Sequence, residues 1–267
     1  MSRKPSNAFT LIELLVVIAV LAILMSILLP ALSRVRKSGW RTFCGNNERQ
    51  WGIALQLYAT DNDNYFPDNT DGYDVSWMGV RMASFWKRYL VESQKTEKVK
   101  ERAHVLFCPT DKWHRLADLW RNPDAAADTK PILTGYFYLP HRDVTKTWEY
   151  NCNGLKEWHA RKKFGGKYHG APVMSDRLQG VGTWSLSSNK GNVTWDTTNT
   201  DGTVVPSATH PKPGNGIPEG GNFLFEDGRV EWRNWDIDDA RATIDLGSKG
   251  GTWLCFYKLP GIATGSE

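Results

Sequence analysis

The sequence predicts an α+β protein: a long N-terminal helix, first transmembrane and then amphipathic, packed on a small antiparallel sheet with long loops. Three observations predict it. Residues 8 to 32 are almost entirely apolar. The stretch that follows, to about Asp61, keeps an irregular apolar stripe of Val35, Phe43, Trp51, Ala54, Leu55 and Tyr58. Towards the C-terminus, Gly221-Asn222-Phe223-Leu224-Phe225-Glu226 and Arg229-Val230-Glu231-Trp232 flank Asp227-Gly228, the signature of a hairpin.

The apolar segment contains Phe9-Thr10-Leu11-Ile12-Glu13-Leu14-Leu15-Val16-Val17-Ile18-Ala19-Val20 and stays apolar to Leu32. At about 1.5 Å per residue, a helix of roughly 25 residues reaches roughly 37 Å, enough to cross a hydrocarbon core of about 30 Å. Arg3 and Lys4 precede it, and the positive-inside tendency keeps that short tail cytoplasmic. Arg34, Arg36 and Lys37 on the far side pull the other way. Glu13 is the one charge in the span. A lone carboxylate in hydrocarbon costs on the order of 3 kcal/mol, which marks Glu13 as a functional candidate. Two readings stay open: a position shallow enough to reach the headgroups, or pairing with the N-terminal amine of a neighbouring subunit. An ordinary secretory signal would have an apolar core of about 7 to 15 residues, with a small-x-small cleavage site after it. Here the small residue, Ala8, comes before the apolar run, so processing is expected ahead of the helix and the helix is retained.

Beyond Leu32 the helix is expected to continue. Pro30 should kink or locally break it, because proline lacks an N–H and its ring clashes with the preceding turn. Gly39, Gly45 and Gly52 each weaken it by about 1 kcal/mol relative to Ala. Asp61-Asn62-Asp63-Asn64, followed by Phe66-Pro67, ends it. With Asp68 and Asp71-Gly72 this cluster tempts a calcium assignment, but it lacks the spacing and closing Glu of an EF-hand loop, so turn chemistry is favoured. A second helix is expected over Ser84 to Thr96, with Phe85, Trp86, Tyr89, Leu90 and Val91 on its apolar face. Strands are expected at Val105-Leu106-Phe107-Cys108-Pro109, Gly135-Tyr136-Phe137-Tyr138-Leu139 and Pro172-Val173-Met174-Ser175-Asp176. Residues 180 to 220, rich in Gly, Ser, Thr, Asn and Pro, read as long loops. Asp227-Gly228 reads as a type I′ turn. No linker or repeat marks a further domain. The division is therefore residues 1–8 as a cytoplasmic leader, 9–33 as the membrane helix, and 34–267 as an extracytoplasmic domain that includes the helix to about residue 62.

Composition excludes several classes. The 267 residues are 40% apolar, which is ordinary for a globular protein. The net charge of +4 includes Arg3 and Lys4; without them 31 basic residues face 29 acidic ones, leaving +2, and no nucleic-acid partner is called for. The runs Lys98 to Arg102 and Arg161-Lys162-Lys163 read as solvated faces. The cysteines Cys44, Cys108, Cys152 and Cys255 lie far apart, with no CxxC pair. His104, His114, His141, His159, His169 and His210 show no metal spacing, and no nucleophile–base pair or phosphate loop is visible. No catalytic set, metal or cofactor is assigned; whether Asp176, His169 and Asp227 converge is not readable from spacing. Thirteen tryptophans are many, and Trp113, Trp120, Trp148, Trp158, Trp184 and Trp195 fall in loop-rich stretches. They either stack on sugars or partner proteins, or fill a core built from short strands.

The segment from Phe9 to Val20 resembles the N-terminal methylation motif of type IV pilins and type II secretion pseudopilins. The resemblance implies that a prepilin peptidase/methyltransferase cuts between Ala8 and Phe9 and N-methylates Phe9. It makes Glu13 the motif's assembly glutamate and Pro30 the helix proline common in that family. Ala8 stands where the family usually carries Gly. Later segments are similar to a bacterial branch with an H-X9-DG C-terminal domain: Cys44-Gly45-Asn46-Asn47, Leu57 to Pro67, Phe107-Cys108-Pro109, Val173-Met174-Ser175-Asp176 and the strand leading to Asp227-Gly228. In that branch a His precedes the Asp-Gly by nine residues, whereas sixteen separate His210 from Asp227 here. By the same analogy Cys44 and Cys108 could be bridged, stapling helix to sheet.

The resemblance implies a structural subunit of a pilus-type or type II secretion assembly, not an enzyme. Its partners would be the processing peptidase and other pilin-like subunits, met through the N-terminal helix. It would sit as a single-pass protein in the inner membrane, with its domain periplasmic or extracellular. The alternative is a membrane-anchored polysaccharide-binding module that uses the aromatic loops; an anchored hydrolase ranks below both.

Overall fold

The computed structural model describes residues 10–72, 75–90, 104–113, 132–143, 151–153, 160–182, 193–198, 202–236, 242–245 and 253–257. Helix α1 (Leu11–Asp61) is one uninterrupted element of 51 residues and runs through Pro30 without a break. The chain divides into two units, residues 1–40 and 41–267. In the first unit the side chains from Thr10 to Arg36 are exposed, including Leu14, Ile18, Leu21 and Leu28. Such a surface on a helix of this length and apolarity suits a membrane span.

The second unit is built from short strands. In chain order these begin with β1 (Trp77–Met78), β2 (Ile132–Leu133), β3 (Tyr136–Tyr138), β4 (Asn151–Asn153) and β5 (Pro172–Asp176). They continue with β6 (Gln179–Gly182), β7 (Val193–Thr194), β8 (Asp196–Thr198) and β9 (Val204–Pro206). The last four are β10 (Gly220–Phe225), β11 (Val230–Asn234), β12 (Ala242–Asp245) and β13 (Trp253–Tyr257). A four-stranded antiparallel sheet has the order β11-β10-β5-β3. A five-stranded one has the order β4-β12-β13-β6-β7, and β1-β2 and β8-β9 pair separately. Arg177 and Leu178 carry the chain directly from β5 in the first sheet to β6 in the second.

The C-terminal part of α1 packs on this unit. Cys44, Trp51, Ala54 and Leu55 share one buried cluster with Phe107, Tyr136, Tyr138, Val173, Met174 and Leu224. Gly52 lets the helix approach closely: a Cβ at that position would come 3.0 Å from a Leu224 methyl, tighter than ordinary contact, and 3.6 Å from the Gly228 backbone. The helix ends where Asp63 and Asn64 turn left-handed, at φ 50° and 61°, and the Asn64 N–H donates back to the Ala59 carbonyl at 2.9 Å.

Several local expectations need correction. Residues 105–109 form turns rather than a strand, pinned instead by side chains of α1: the Trp51 indole donates to the Val105 carbonyl at 3.0 Å, and the Asn47 amide to that of Phe107 at 3.2 Å. Val80–Leu90 is a succession of 3₁₀, α and π turns rather than a regular helix, and residues 91–96 lie outside the described residues. Between residues 180 and 220 there are short strands, β7 to β9, where loops were expected. The Asp227-Gly228 turn is not type I′. Only Gly228 has positive φ, 80°, and Phe225 pairs with Arg229, so Glu226, Asp227 and Gly228 form a three-residue loop with its left-handed residue last. Arg161 is not on a solvated face: its side chain is 6% exposed and meets Glu226 at 2.8 Å. Lys162 and Lys163 are exposed, while Lys98 to Arg102 lie outside the described residues.

Candidate functional site

Two places concentrate the chemistry, one in each unit. At the start of α1, Thr10 is the N-cap and Glu13 sits three residues on. The Thr10 backbone N–H and the Thr10 hydroxyl both donate to Glu13 Oε2 at 2.8 Å, and the Glu13 N–H donates to the Thr10 hydroxyl at 3.3 Å. This is a capping box, which satisfies the N–H groups that open a helix. The T-x-x-E spacing was in the sequence and could have predicted it. The Glu13 carboxylate is therefore half used by its own chain. Oε2 is occupied, and Oε1 takes no hydrogen bond from the described residues. Further along, the Ser26 hydroxyl donates to the Ile23 carbonyl at 2.7 Å, so this polar group is satisfied within the span. Ala8 and Phe9 lie outside the described residues.

The second place is a buried polar cluster beneath α1. A disulfide joins Cys44 on the helix to Cys108 in the 105–109 turn, 64 positions apart, with Cα atoms 5.1 Å apart. Cys152 and Cys255 lie on β4 and β13, each opposite Ile244 of the intervening β12.

Against the disulfide lies His210, whose Nε2 is 3.4 Å from Cys108 Sγ and 3.2 Å from Asp176 Oδ2. His210 is held in a left-handed conformation, φ 49°. Its backbone N–H donates to the Thr110 hydroxyl at 3.0 Å, its carbonyl accepts the Glu219 N–H at 2.8 Å, and its ring meets Trp232 edge-on. Arg41 lies 3.9 Å over the other partner of that contact, the Trp232 ring. Asp176 ends β5 and is fully buried; its Oδ2 accepts two hydrogen bonds at 2.8 Å from Asn222, one from the backbone and one from the side chain. Its Oδ1 is buried with no hydrogen-bond partner.

Spacing along the chain hid His210. The residues between His210 and β10 fold onto themselves, with Pro211 and Pro218 in a bridge and the Lys212 N–H donating to the Ile217 carbonyl at 2.7 Å. The excursion closes where the Glu219 N–H, next to β10, bonds back to the His210 carbonyl. Of the other residues whose convergence was in question, His169 and Asp227 are exposed and only Asp176 enters the cluster.

Glu48, one helical turn beyond Cys44, is also fully buried, and neither carboxylate oxygen has a hydrogen-bond partner. Burial first, and then the negative charge of Asp176, hold its carboxyl well above the usual carboxylate range; the Asp176 backbone amide pulls weakly the other way, short of a full hydrogen bond. The same surroundings push the Tyr136 hydroxyl up. Nearby, Arg177 and Asp111 are both fully buried and paired at 2.8 Å. Arg177 also reaches Gln179 and the Ser207 carbonyl, and packs on Trp113 at 4.9 Å.

The loop that tempted a calcium assignment uses most of the oxygens of Asp68 and Asp71 internally, while Asp71 Oδ1 is buried without a hydrogen-bond partner. Asp68 Oδ1 accepts from the Thr70 N–H and hydroxyl, Asp68 Oδ2 meets Arg81 at 3.1 Å, and Asp71 Oδ2 accepts the Arg81 N–H at 3.1 Å. Of the loop tryptophans, Trp195 is buried edge-on against Trp235 and Trp113 stacks on Arg177. Trp120, Trp148, Trp158 and Trp184 lie outside the described residues.

Residues 3–29 match the family model described as the prokaryotic N-terminal methylation motif. No curated protein and no solved structure matches the chain. The motif is a substrate signal for prepilin peptidase and indicates a type IV pilin-like or pseudopilin-like subunit, and the N-terminal apolar helix fits membrane anchoring.

Proposed function

We propose that the chain is a structural, non-catalytic subunit of a type IV pilus or type II secretion assembly, cleaved between Ala8 and Phe9 and N-methylated on Phe9. The match over residues 3–29 is the observation that carries this reading. The retained helix anchors the subunit in the inner membrane, packs beside the helices of other pilin-like subunits, and holds residues 34–267 on the periplasmic or extracellular side. In that packing the Glu13 carboxylate meets the methylated amine of a neighbouring subunit. The capping box supports this role. It fixes the carboxylate at the helix start through Oε2 and leaves Oε1 for a cation brought by another chain. An unpaired charge between apolar helices is costly, so the pairing sets the register of one subunit against the next.

N-terminal mapping by mass spectrometry of membrane-extracted protein tests the processing. The expected N-terminus is N-methyl-Phe9; a chain that keeps Met1 to Ala8, or one that begins beyond residue 32, overturns it. Crosslinking of Glu13→Gln in membranes tests the assembly. The expected result is normal membrane insertion with loss of the subunit ladder. A ladder equal to the parent's shows that the pairing is not needed.

A further inference from the structure

We propose that the reduced form of this protein holds a structural zinc-class divalent cation, with Cys44, Cys108, Asp176 and His210 as its four ligands. Sulfur, imidazole nitrogen and carboxylate oxygen from these residues all lie within 4.8 Å of one another, and all four residues are buried. A tetrahedral zinc ion with Zn–S of about 2.3 Å and Zn–N or Zn–O of about 2.0 Å requires N···S and N···O edges of roughly 3.5 and 3.3 Å. The His210 Nε2 distances to Cys108 Sγ and Asp176 Oδ2, 3.4 and 3.2 Å, already have those lengths. The sulfur atoms would have to separate to roughly 3.8 Å, a side-chain movement once the bond between them is broken.

Three further features suit a metal rather than a chance cluster. Asp176 Oδ1 is buried without a partner, so the hydrogen bonds this carboxylate receives fall on Oδ2 and leave its charge incompletely satisfied where water is excluded. The two Asn222 bonds to Oδ2 orient that carboxylate, as groups behind a metal ligand do. His210 is fixed at its backbone on both sides, and its ring is held edge-on against Trp232. Two thiolates, a carboxylate and a neutral imidazole form a closed four-coordinate set of the kind that holds structural zinc and leaves no position for substrate.

The chemistry balances with an external reductant. A phosphine attacks one sulfur and the S–S bond breaks. The phosphine leaves as its oxide, with oxygen from water, and Cys44 and Cys108 each gain a proton. Cation binding then displaces those two thiol protons to solvent. The same two cysteines thus staple helix to turn in either state, directly when oxidised and through the metal when reduced.

The test uses the full-length chain in detergent, stripped with chelator and split into oxidised and phosphine-reduced samples. On dialysis against Zn2+, the expected result is one zinc per reduced chain and none above background in the oxidised chain. Co2+ added to the reduced chain should give the intense d–d bands of a tetrahedral site together with thiolate charge transfer. Loss of a second-shell group alone costs about tenfold in affinity or more, so His210→Gln and Asp176→Asn should each weaken Zn2+ binding at least about tenfold. Equal metal content in both redox forms, an octahedral cobalt spectrum, or full binding by a Cys44→Ser/Cys108→Ser variant overturns the proposal. The comparison of the wild-type chain with itself in two redox states needs no variant to fold.

Discussion

The two halves of α1 each carry a buried-or-to-be-buried glutamate, and the chain treats them in opposite ways. Glu13, in the apolar half, is exposed within its own chain, yet Thr10 gives its carboxylate two hydrogen bonds. Glu48, in the polar half, is fully enclosed by the domain and receives no hydrogen bond. Charge and surroundings are matched in the first case and mismatched in the second. On the function proposed above, the apolar half shows its greasy surface and a prepared carboxylate because its partners lie outside this chain. The polar half is completed by residues of its own chain, and there burial pushes the acid's carboxyl well above its usual range.

If the domain supplies its own stability, the largest effects belong to its buried charges. Asp111→Ala strands the Arg177 guanidinium, which is fully buried, and should cost about 3 to 5 kcal/mol in denaturant unfolding of the full chain. The double variant Asp111→Leu/Arg177→Met should recover most of that loss. If it is as unstable as the single variant, packing around Trp113 matters more than the charge. Next comes the staple: Cys44→Ser with Cys108→Ser opens a loop of 64 positions and should cost roughly 2 to 4 kcal/mol under oxidising conditions.

A smaller effect depends on pH. The folded pKa of Glu48 lies well above its unfolded value, so the folded state holds a proton that the unfolded state releases. Stability from this group is therefore fully present below about pH 4.5 and falls as pH rises through the folded pKa. Glu48→Gln keeps the shape without the ionisation. In the oxidised chain its unfolding midpoint should exceed the parent's at pH 8, with the gap closing towards pH 4. A gap that is constant across that range would show that Glu48 is charged or neutral equally in both states.

The contrast between the halves was only partly legible in the sequence. The apolar run, the helix end at Asp61 and the β10–β11 hairpin rest on local signals, namely composition, turn residues and alternation, and these the chain states openly. The cluster of Cys108, Asp176 and His210 rests on three segments brought together by the β5–β10 pairing and by a loop that folds back on itself at Pro211 and Pro218. No spacing rule reads such a loop, since it lengthens the chain without lengthening the distance. The 105–109 segment misled for a related reason. Its apolar residues look like a strand, but the Trp51 and Asn47 side chains take up its carbonyls, so no ladder is needed. The turn at Gly228 shows that an Asp-Gly pair fixes where a hairpin reverses but not its loop length, which depends on which flanking residues pair.

The smallest expected effect makes the sharpest comparison. Leu21 and Leu224 are the same residue in the two regions, the first about half exposed on α1 and the second fully buried between helix and sheet. Leu224→Ala removes packing against Gly52 and the core around Trp51, and should cost about 2 to 5 kcal/mol in domain unfolding. Leu21→Ala touches none of that core, and the domain of a detergent-solubilised monomer should unfold within about 0.5 kcal/mol of the parent, followed by near-ultraviolet dichroism of the tryptophans. If Leu21 instead shifts that unfolding as Leu224 does, the apolar half is stabilised by its own chain and the division of labour proposed for α1 is wrong. If Leu21→Ala is silent in the monomer but weakens crosslinking between subunits in membranes, the missing contacts of the apolar half are contacts with other subunits.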